Sequence, residues 1–358
     1  VTVPKGTTIL DAAKTLGIDI PTLCHMDLHN TRMHSSKATC RVCVVEVEGK
    51  KNLQPACVTL VSEGMKVVTN SDRVLTTRKT IVELLISDHP RTCLSCPKSG
   101  DCELQALAIR FGIDNVNITG KSQSLFDKDE TRSLVRDMNK CVRCRRCETM
   151  CNEVQQVGAL SMTGRGVNAV VNTAFGAPSM ETVCTHCGQC AAVCPTGAIT
   201  EKDATWDVIA ALNDPDKTVI VQTAPSVRVA IGEAFGMAPG SVATGKLVTA
   251  LREVGFDYVF DTDFAADLTI MEEGTELLSR LNRYLAGEKE ALPILTSCCP
   301  AWVNFFESQY PDLLQVPSSA KSPQQMFGAI AKTYFAEKIG VRREDLVLVS
   351  VMPCLAKK

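Results

Sequence analysis

Apolar and polar positions change their period along the chain, and the changes divide it into parts. In "VTVPKGTTILDAAKTLGIDIPTLC" an extended opening precedes a turn with Pro4 and Gly6. Ile9, Ala12, Ala13 and Leu16 then recur on one helical face, which predicts a strand, a turn and a short helix. "CRVCVVEVEGK" reads as a strand with Gly49 in its turn and "MKVVTN" as another, giving a small α+β module ending near residue 70. Residues 71–88, "SDRVLTTRKTIVELLISD", predict a helix capped by Ser71 or Asp72. Its apolar side carries Val74, Leu75, Ile81, Val82, Leu84 and Leu85, and His89-Pro90 stops it. The polar run "TGKSQSLFDKDETRS" predicts a linker around 119–133, and "LNDPDK" at 212–217 a hinge. From 218 onward strands and helices alternate. "KTVIVQT", "DYVFDT", "LPILTS" and "DLVLVSV" read as strands, and "SVRVAIGEAFG" and "GTELLSRLNRYLAG" as helices, an α/β pattern with a largely parallel sheet.

Composition narrows the function. With 45% hydrophobic residues among 358, the chain has ample core material and length for several domains. It has no run of eighteen apolar residues, so no membrane span is expected. The balance of 38 basic and 40 acidic residues and an aromatic content of 5% argue against nucleic acid as a partner. The outlier is cysteine, with 18 copies mostly in C-x-x-C steps. Such spacing suits convergence on metal centres rather than distant disulfides, and a reducing, cytoplasmic location follows.

The two groups "CVRCRRCETMC" and "CTHCGQCAAVCP" share the spacing C-x2-C-x2-C-x3-C. In this ferredoxin-type run three close thiolates hold one 4Fe-4S cube and the fourth ligates the other. One cube therefore takes Cys141, Cys144, Cys147 and Cys194, and the other Cys151, Cys184, Cys187 and Cys190. Structural zinc more often uses two separated pairs. Upstream, Cys24, Cys40, Cys43 and Cys57 are arranged as in plant-type 2Fe-2S domains. His25, His29 and His34 in the first gap read as loop or surface residues, although a Rieske-like centre would need two of them. "HPRTCLSCPKSGDC" offers His89, Cys93, Cys96 and Cys102. On chemistry alone a zinc site and a histidine-ligated cube compete evenly there.

"TSCCPAW" at 296–302 follows a predicted strand and leads into a helix, and "SVMPCLAKK" puts Cys354 directly after another strand. Ligands of open α/β sheets bind beyond the carboxyl ends of strands, so Cys298 or Cys299 and Cys354 are expected to converge on one anionic centre. A buried structural pair or a vicinal disulfide is the competing reading. Glu273, Glu276 and Arg280 share one face of a predicted helix, and spacing alone makes them a solvated face with an i,i+4 ion pair. The basic stretch Lys140, Arg143, Arg145 and Arg146 reads either as a docking patch for an acidic ferredoxin or as compensation of cluster charge.

The order of these modules, with "TSCCPAW", "MPCLAKK", "ADLTIMEEGTELL" and "SSAKSPQQMFGA", resembles the iron-only (FeFe) hydrogenases over essentially the whole chain. The N-terminal modules are also similar to a respiratory NADH dehydrogenase subunit and to NAD-linked hydrogenase diaphorase subunits. The resemblance implies a multidomain α+β and α/β chain. Its parts would be a plant-type 2Fe-2S ferredoxin (β-grasp) domain at 1–70, a small helical domain with a histidine-ligated 4Fe-4S cluster at 71–125, a bacterial-type two-cube domain at 130–205, and part of an α/β hydrogenase catalytic domain at 206–358. It implies reversible H2 oxidation and proton reduction at an H-cluster, a 4Fe-4S cube joined to a diiron unit. Cys299 and Cys354 would be two of its four thiolates. Cys298 would pass protons to the diiron unit, with Glu273, Ser318, Glu276 and Arg280 leading to solvent. Lys357, Pro225, Ser226, Gln324 and Met352 would line the cofactor pocket. In all, one 2Fe-2S, three accessory 4Fe-4S clusters and the H-cluster are implied. Electrons would pass to ferredoxin or to an NAD(P)H-oxidising flavin/iron-sulfur partner subunit. The alternative is a non-catalytic electron-transfer subunit of a hydrogenase or NADH dehydrogenase complex. A third motif with two more H-cluster cysteines is expected beyond Lys358, in a longer protein.

Overall fold

The computed structural model describes residues 1–28, 34–35, 37–118 and 128–358, with only the backbone at 34, 35 and 167. His29 and most of the expected linker, residues 119–127, lie outside the described residues. The chain divides into two compact units, Val1–Cys184 with Gly188–Lys202, and Thr185–Cys187 with Asp203–Lys358. Among the described residues no helix is long and apolar enough to cross a membrane.

In the first unit, α1 (Ile9–Thr15) starts at Thr8, whose hydroxyl accepts from the Asp11 amide. Ile9, Leu10 and Ala13 pack into a core with Val45, Val47, Cys43 and Cys57. β1 (Val44–Val47) lies between β2 (Gln54–Pro55) and β3 (Val67–Val68), antiparallel to both. The expected opening strand does not form. Thr7 bonds back to the Pro4 carbonyl in a turn, and only a single bridge joins Thr8 to Leu60. α2 (Asp72–Ser87) is capped as expected, with Ser71 accepting from Val74. It buries Val74, Arg78 and Val82, and the Arg78 guanidinium donates twice to the Val44 carbonyl, at 3.0 and 2.8 Å. Burial pushes the Arg78 pKa down to about 10.

α3 (Glu103–Arg110) buries Leu104 and Leu107 in a second core shared with Leu23, Cys24, Cys40, Val82, Val142 and Cys144, against which Cys102 packs. Cysteines of three predicted metal sites thus meet in one apolar cluster. Further on, β4 (Asp129–Glu130), β5 (Leu134–Arg136) and β8 (Ile199–Glu201) form an antiparallel sheet in the order β8-β5-β4. β6 (Ser161–Thr163) and β7 (Val170–Asn172) make a separate antiparallel pair. Residues 129–130 are therefore an edge strand rather than linker. Asp129 accepts from Arg136 and Ser179, which gives this polar segment a buried anchor.

The second unit is built on a parallel sheet with β9 (Thr218–Thr223) between β10 (Tyr258–Asp261) and β11 (Leu346–Val351). Alternation sends Ile220 to one face, with Phe327, Ala331 and Leu346, and Val219 and Val221 to the other, with Phe256. Around the sheet lie α4 (Val227–Ala234), α5 (Thr244–Val254), α6 (Asp263–Leu285), α7 (Pro300–Gln309) and α8 (Pro323–Ile330). Two expectations fail here. "LPILTS" is extended but makes one parallel bridge, Leu295 to Pro317, because Pro293 and Pro317 cannot donate to a ladder. "LNDPDK" is a turn inside the second unit, not a boundary, and Lys217 anchors it to Asp345 at 3.0 Å.

Candidate iron-sulfur centres and active site

Cys298 and Cys299 form no vicinal disulfide. Among the described residues no three His, Cys, Asp or Glu side chains close on a single metal ion. The N-terminal cysteines nevertheless stand together. The Cys24 thiol is within hydrogen-bond reach of Cys40 and Cys57, which lowers its pKa, while hydrogen bonding to Cys24 raises the pKa of both partners. Cys43, bonded to Cys57, comes down to about 7. All four are buried. Four convergent buried thiols at the ends of β1 and β2 fit a small iron-sulfur centre. His25 is half-buried and its pKa is lowered, first by burial.

A small cavity of about 20 Å³ is lined by His89, Cys93, Cys96 and Cys102, together with Lys140 and Gly197. His89 Nδ1 lies 2.9 Å from the Pro90 carbonyl, whereas Nε2 is buried without a hydrogen-bond partner. A histidine that donates from one nitrogen and keeps the other lone pair free is set as a metal ligand. Zinc bonds of about 2.0–2.3 Å would draw the four donors to a point. Among the described residues no three of these donors close on one metal ion, which fits a many-atom cluster better than zinc. On the cavity wall, a Cβ at Gly197 would come within 2.6 Å of the Cys96 sulfur.

A second small cavity, about 10 Å³, is lined by Cys141, Cys144, Cys147 and Cys194. The fourth member comes from the distant run, as the crossed ligand scheme requires. Burial raises all three thiols of the near run, Cys144 to about 12. Bare thiols so placed are poor anions, and metal binding is what makes such sites thiolate. Cys151 and Cys190 pack against the same core as Cys147, while Cys187 falls in the second unit and Cys184 in the first.

The basic stretch is not an open patch. Lys140 pairs with Asp137 at 3.1 Å, Arg143 with Asp88 at 2.7 Å, Arg145 with Glu148 at 2.5 Å and Arg146 with Glu103 at 2.5 Å. With each charge already answered and Lys140 and Arg146 largely covered, the docking reading gives way to internal compensation.

In the second unit, Pro225 and Ser226 follow β9, and Met352 and Cys354 follow β11, at adjacent strand ends joined by the Ala224 amide to the Val351 carbonyl. Cys299 is the N-cap of α7, with Pro300 at its first position. Lys357 donates to the Cys298 carbonyl at 2.7 Å, which ties the "MPCLAKK" segment to "TSCCPAW". Gln324 accepts through its carbonyl from the buried Gln222, which also reaches Ser350.

A large open cavity is lined by Cys298, Glu276, Arg280 and Ser318. Ser318 donates to Glu276 at 2.8 Å and the Ser319 amide to the same oxygen at 3.1 Å. The Arg280 fork grips the other oxygen at 2.9 and 2.6 Å and also donates to the Gln315 and Pro317 carbonyls. Burial works against the Glu276 anion, but these bonds outweigh it and hold its pKa below the usual range. Ser297 donates to the Ser318 carbonyl, so the residue beside Cys298 is pinned to the same loop. Glu273 is half-buried and does not line this cavity, so no hydrogen bond joins it to Cys298. Spacing suggested the Glu276–Arg280 pair. It gave no sign that Ser319 and the 315–317 carbonyls would complete it.

Residues 217–358 match the model described as "Iron only hydrogenase large subunit, C-terminal domain". Over 357 residues the chain is 63% identical to the NADP-reducing hydrogenase subunit HndD of Solidesulfovibrio fructosivorans, covering 99% of this chain and 61% of that protein. Residues 217–358 carry the iron-only hydrogenase large-subunit domain. Iron hydrogenase 1 of Clostridium pasteurianum is 39% identical over 99% of this chain and 60% of its own length, so the chain spans about 60% of these relatives. Residues 1–72 match a 2Fe-2S iron-sulfur cluster binding domain, 78–117 an NADH-ubiquinone oxidoreductase-G iron-sulfur binding region, and 140–198 a 4Fe-4S dicluster domain. A chain in the solved NAD+-reducing [NiFe]-hydrogenase is also similar, at 31% identity and TM-score 0.50, over 57% of this chain and 84% of that one.

Proposed function

We propose that the chain forms the larger part of a hydrogenase catalytic subunit that interconverts H2 with protons and electrons. The observation that carries this reading is the hydrogen-bonded set of Ser318, Glu276 and Arg280 lining the same cavity as Cys298. A hydrogenase must move protons and electrons separately, and this unit offers a proton path while the other offers clustered thiols. Cys299 and Cys354 are the thiols that would hold the H-cluster. An H-cluster bound there would supply the iron at which H2 is split or formed. Around it, Cys298 takes and releases the proton at Sγ. Glu276, held as the resting anion by Ser318 and Arg280, accepts the proton transiently and passes it onward, and Glu273 joins by a side-chain rotation. Lys357, Pro225, Ser226, Gln324 and Met352 shape the pocket wall.

In the first part of the chain we assign a β-grasp 2Fe-2S domain to 1–70 (Cys24, Cys40, Cys43, Cys57) and a helical domain to 71–125 with a four-iron cube on His89, Cys93, Cys96 and Cys102. A two-cube domain occupies 130–205, and the catalytic part begins at 206. Similarity over 57% of the chain to a chain of the NAD+-reducing [NiFe]-hydrogenase supports an NAD(P)-linked partner subunit, with ferredoxin as the other acceptor. Close C-x-x-C spacing suits iron-sulfur ligation in a reducing cytoplasm. The test uses the full-length protein carrying all its clusters. Cys298→Ala should abolish H2 evolution from reduced viologen while iron content stays at the parent value, and retained turnover would end the proton-carrier role. A full-length parent with all accessory clusters but no H2 activity would establish the electron-transfer reading instead.

A further inference from the structure

Arg146 lies inside the first four-cysteine run, between Cys144 and Cys147. Arg145 adopts a left-handed conformation (φ 64°), which turns the chain so that the next side chain points inward. The Arg146 side chain is only 10% exposed, against 45% for its partner Glu103. Two nitrogens of the fork meet the two carboxylate oxygens of Glu103 at 2.5 and 2.8 Å. The third, Nε, is buried and has no hydrogen-bond partner among the described residues. Its charge acts on the Cys144 and Cys24 thiols, on Cys144 more strongly.

The pair sits where several metal-site segments meet. Glu103 follows Cys102 directly, and its amide donates to the Pro195 carbonyl, next to Cys194, at 3.0 Å. Cys24, Cys40, Cys102 and Cys144 share the core beside it. Buried N–H groups are nearly always paired, so one left without a protein acceptor marks a place where something else accepts. A guanidinium also stays charged at any working pH, so a cation here is permanent. Reduction adds a negative charge to a cluster, and the potential responds to nearby charge and to hydrogen bonds on the sulfurs.

We propose that Arg146 is a positioning and tuning residue for the cube of Cys141, Cys144, Cys147 and Cys194. Its buried charge raises the cube's reduction potential, with a smaller rise at the 2Fe-2S centre, and its unpaired Nε–H is the spare donor on the segment between two of the cube's ligands. Glu103 aims the fork and offsets part of its charge. This rests on the cluster assignment given above. It makes Arg146 the residue that decides how well this cube holds an electron arriving from its neighbours.

The test is an EPR-monitored redox titration of the full-length protein reconstituted without oxygen. At the parent's midpoint, Arg146→Met should lower the reduced-to-oxidised ratio of this cube at least tenfold, about 59 mV for one electron. The second cube of the dicluster domain should move less than twofold. Arg146→Lys should recover part of the shift, since charge returns without the fork. Glu103→Gln should shift the ratio in the opposite direction. An unmoved midpoint in Arg146→Met with parental iron content would overturn the proposal. If that variant fails to retain the cube, Glu103→Gln decides: a raised midpoint supports the tuning role and an unchanged one refutes it. A parent without any four-iron signal would instead refute the cluster assignment itself, and the proposal with it.

Discussion

A methyl group added at residue 197 tests Cys96 as an iron ligand. Gly197 has an ordinary backbone conformation, so alanine is not strained there, yet its Cβ would lie 2.6 Å from the Cys96 sulfur. Non-bonded heavy atoms prefer about 3.5–4.0 Å, so the overlap is roughly 1 Å. The other neighbours, Lys140 Cδ and Lys98 Cβ, are both at 3.6 Å and need not move. In the metal-free chain the thiol swings aside at about 0.5–1.5 kcal/mol. Alanine returns about 0.4–1 kcal/mol by restricting the unfolded chain, so the net change is close to zero. A ligated sulfur cannot swing, and forcing the backbone apart instead costs about 1–3 kcal/mol, in direct competition with the iron bond. Gly197→Ala should therefore leave the urea midpoint of the metal-free protein within about 1 kcal/mol of the parent. The reconstituted protein should lose one four-iron cluster, read by iron and sulfide analysis and by EPR. Parental iron content with an unshifted EPR spectrum would show that Cys96 does not ligate from this position, and a large loss of metal-free stability would show that the thiol is not free to rotate.

Two further outcomes follow from the same geometry. His89→Ala should lose the same cluster, since it removes the unpaired Nε2, whereas His89→Cys should keep it at a lower potential because thiolate replaces imidazole. Iron content that stays parental in His89→Ala would exclude His89 as a ligand. For Glu276, whose folded pKa lies below its unfolded value, stability is present above the unfolded pKa, about 4.3 for glutamate, and is lost as pH falls through the folded pKa. Ser318→Ala removes one donor and brings the two pKa values together. Urea midpoints should then fall less steeply below about pH 4.3 than in the parent, and an unchanged slope would mean that Ser318 contributes nothing to the shift.

What the sequence disclosed follows range. The four-cysteine runs and the helix over 71–88 were legible because their signals, ligand spacing and a serine cap, lie within a few residues. The long helix Asp263–Leu285 was legible only toward its end. Ile270, Met271, Leu277 and Leu278 are all exposed, so no single apolar stripe marks its length. "LPILTS" misled because its apolar run is genuine while Pro293, with Pro317 opposite, forbids a ladder, a conflict that only the partner segment resolves. The basic stretch left two readings open for the opposite reason. Arg146 finds Glu103 across 43 positions and Arg143 finds Asp88 across 55, so the compensation was invisible in the local run. Gly197 carries no sequence signal for its closeness to Cys96, which lies on a different segment of the same unit.

The core that joins Leu23, Cys24, Cys40, Val82, Leu104, Leu107 and Cys144 also constrains inheritance. Each module looks separable as text, with its own cysteine spacing, but a recombination crossover between them would split a shared interior and strand thiols against unmatched surfaces. The first two hundred residues are better exchanged as one block.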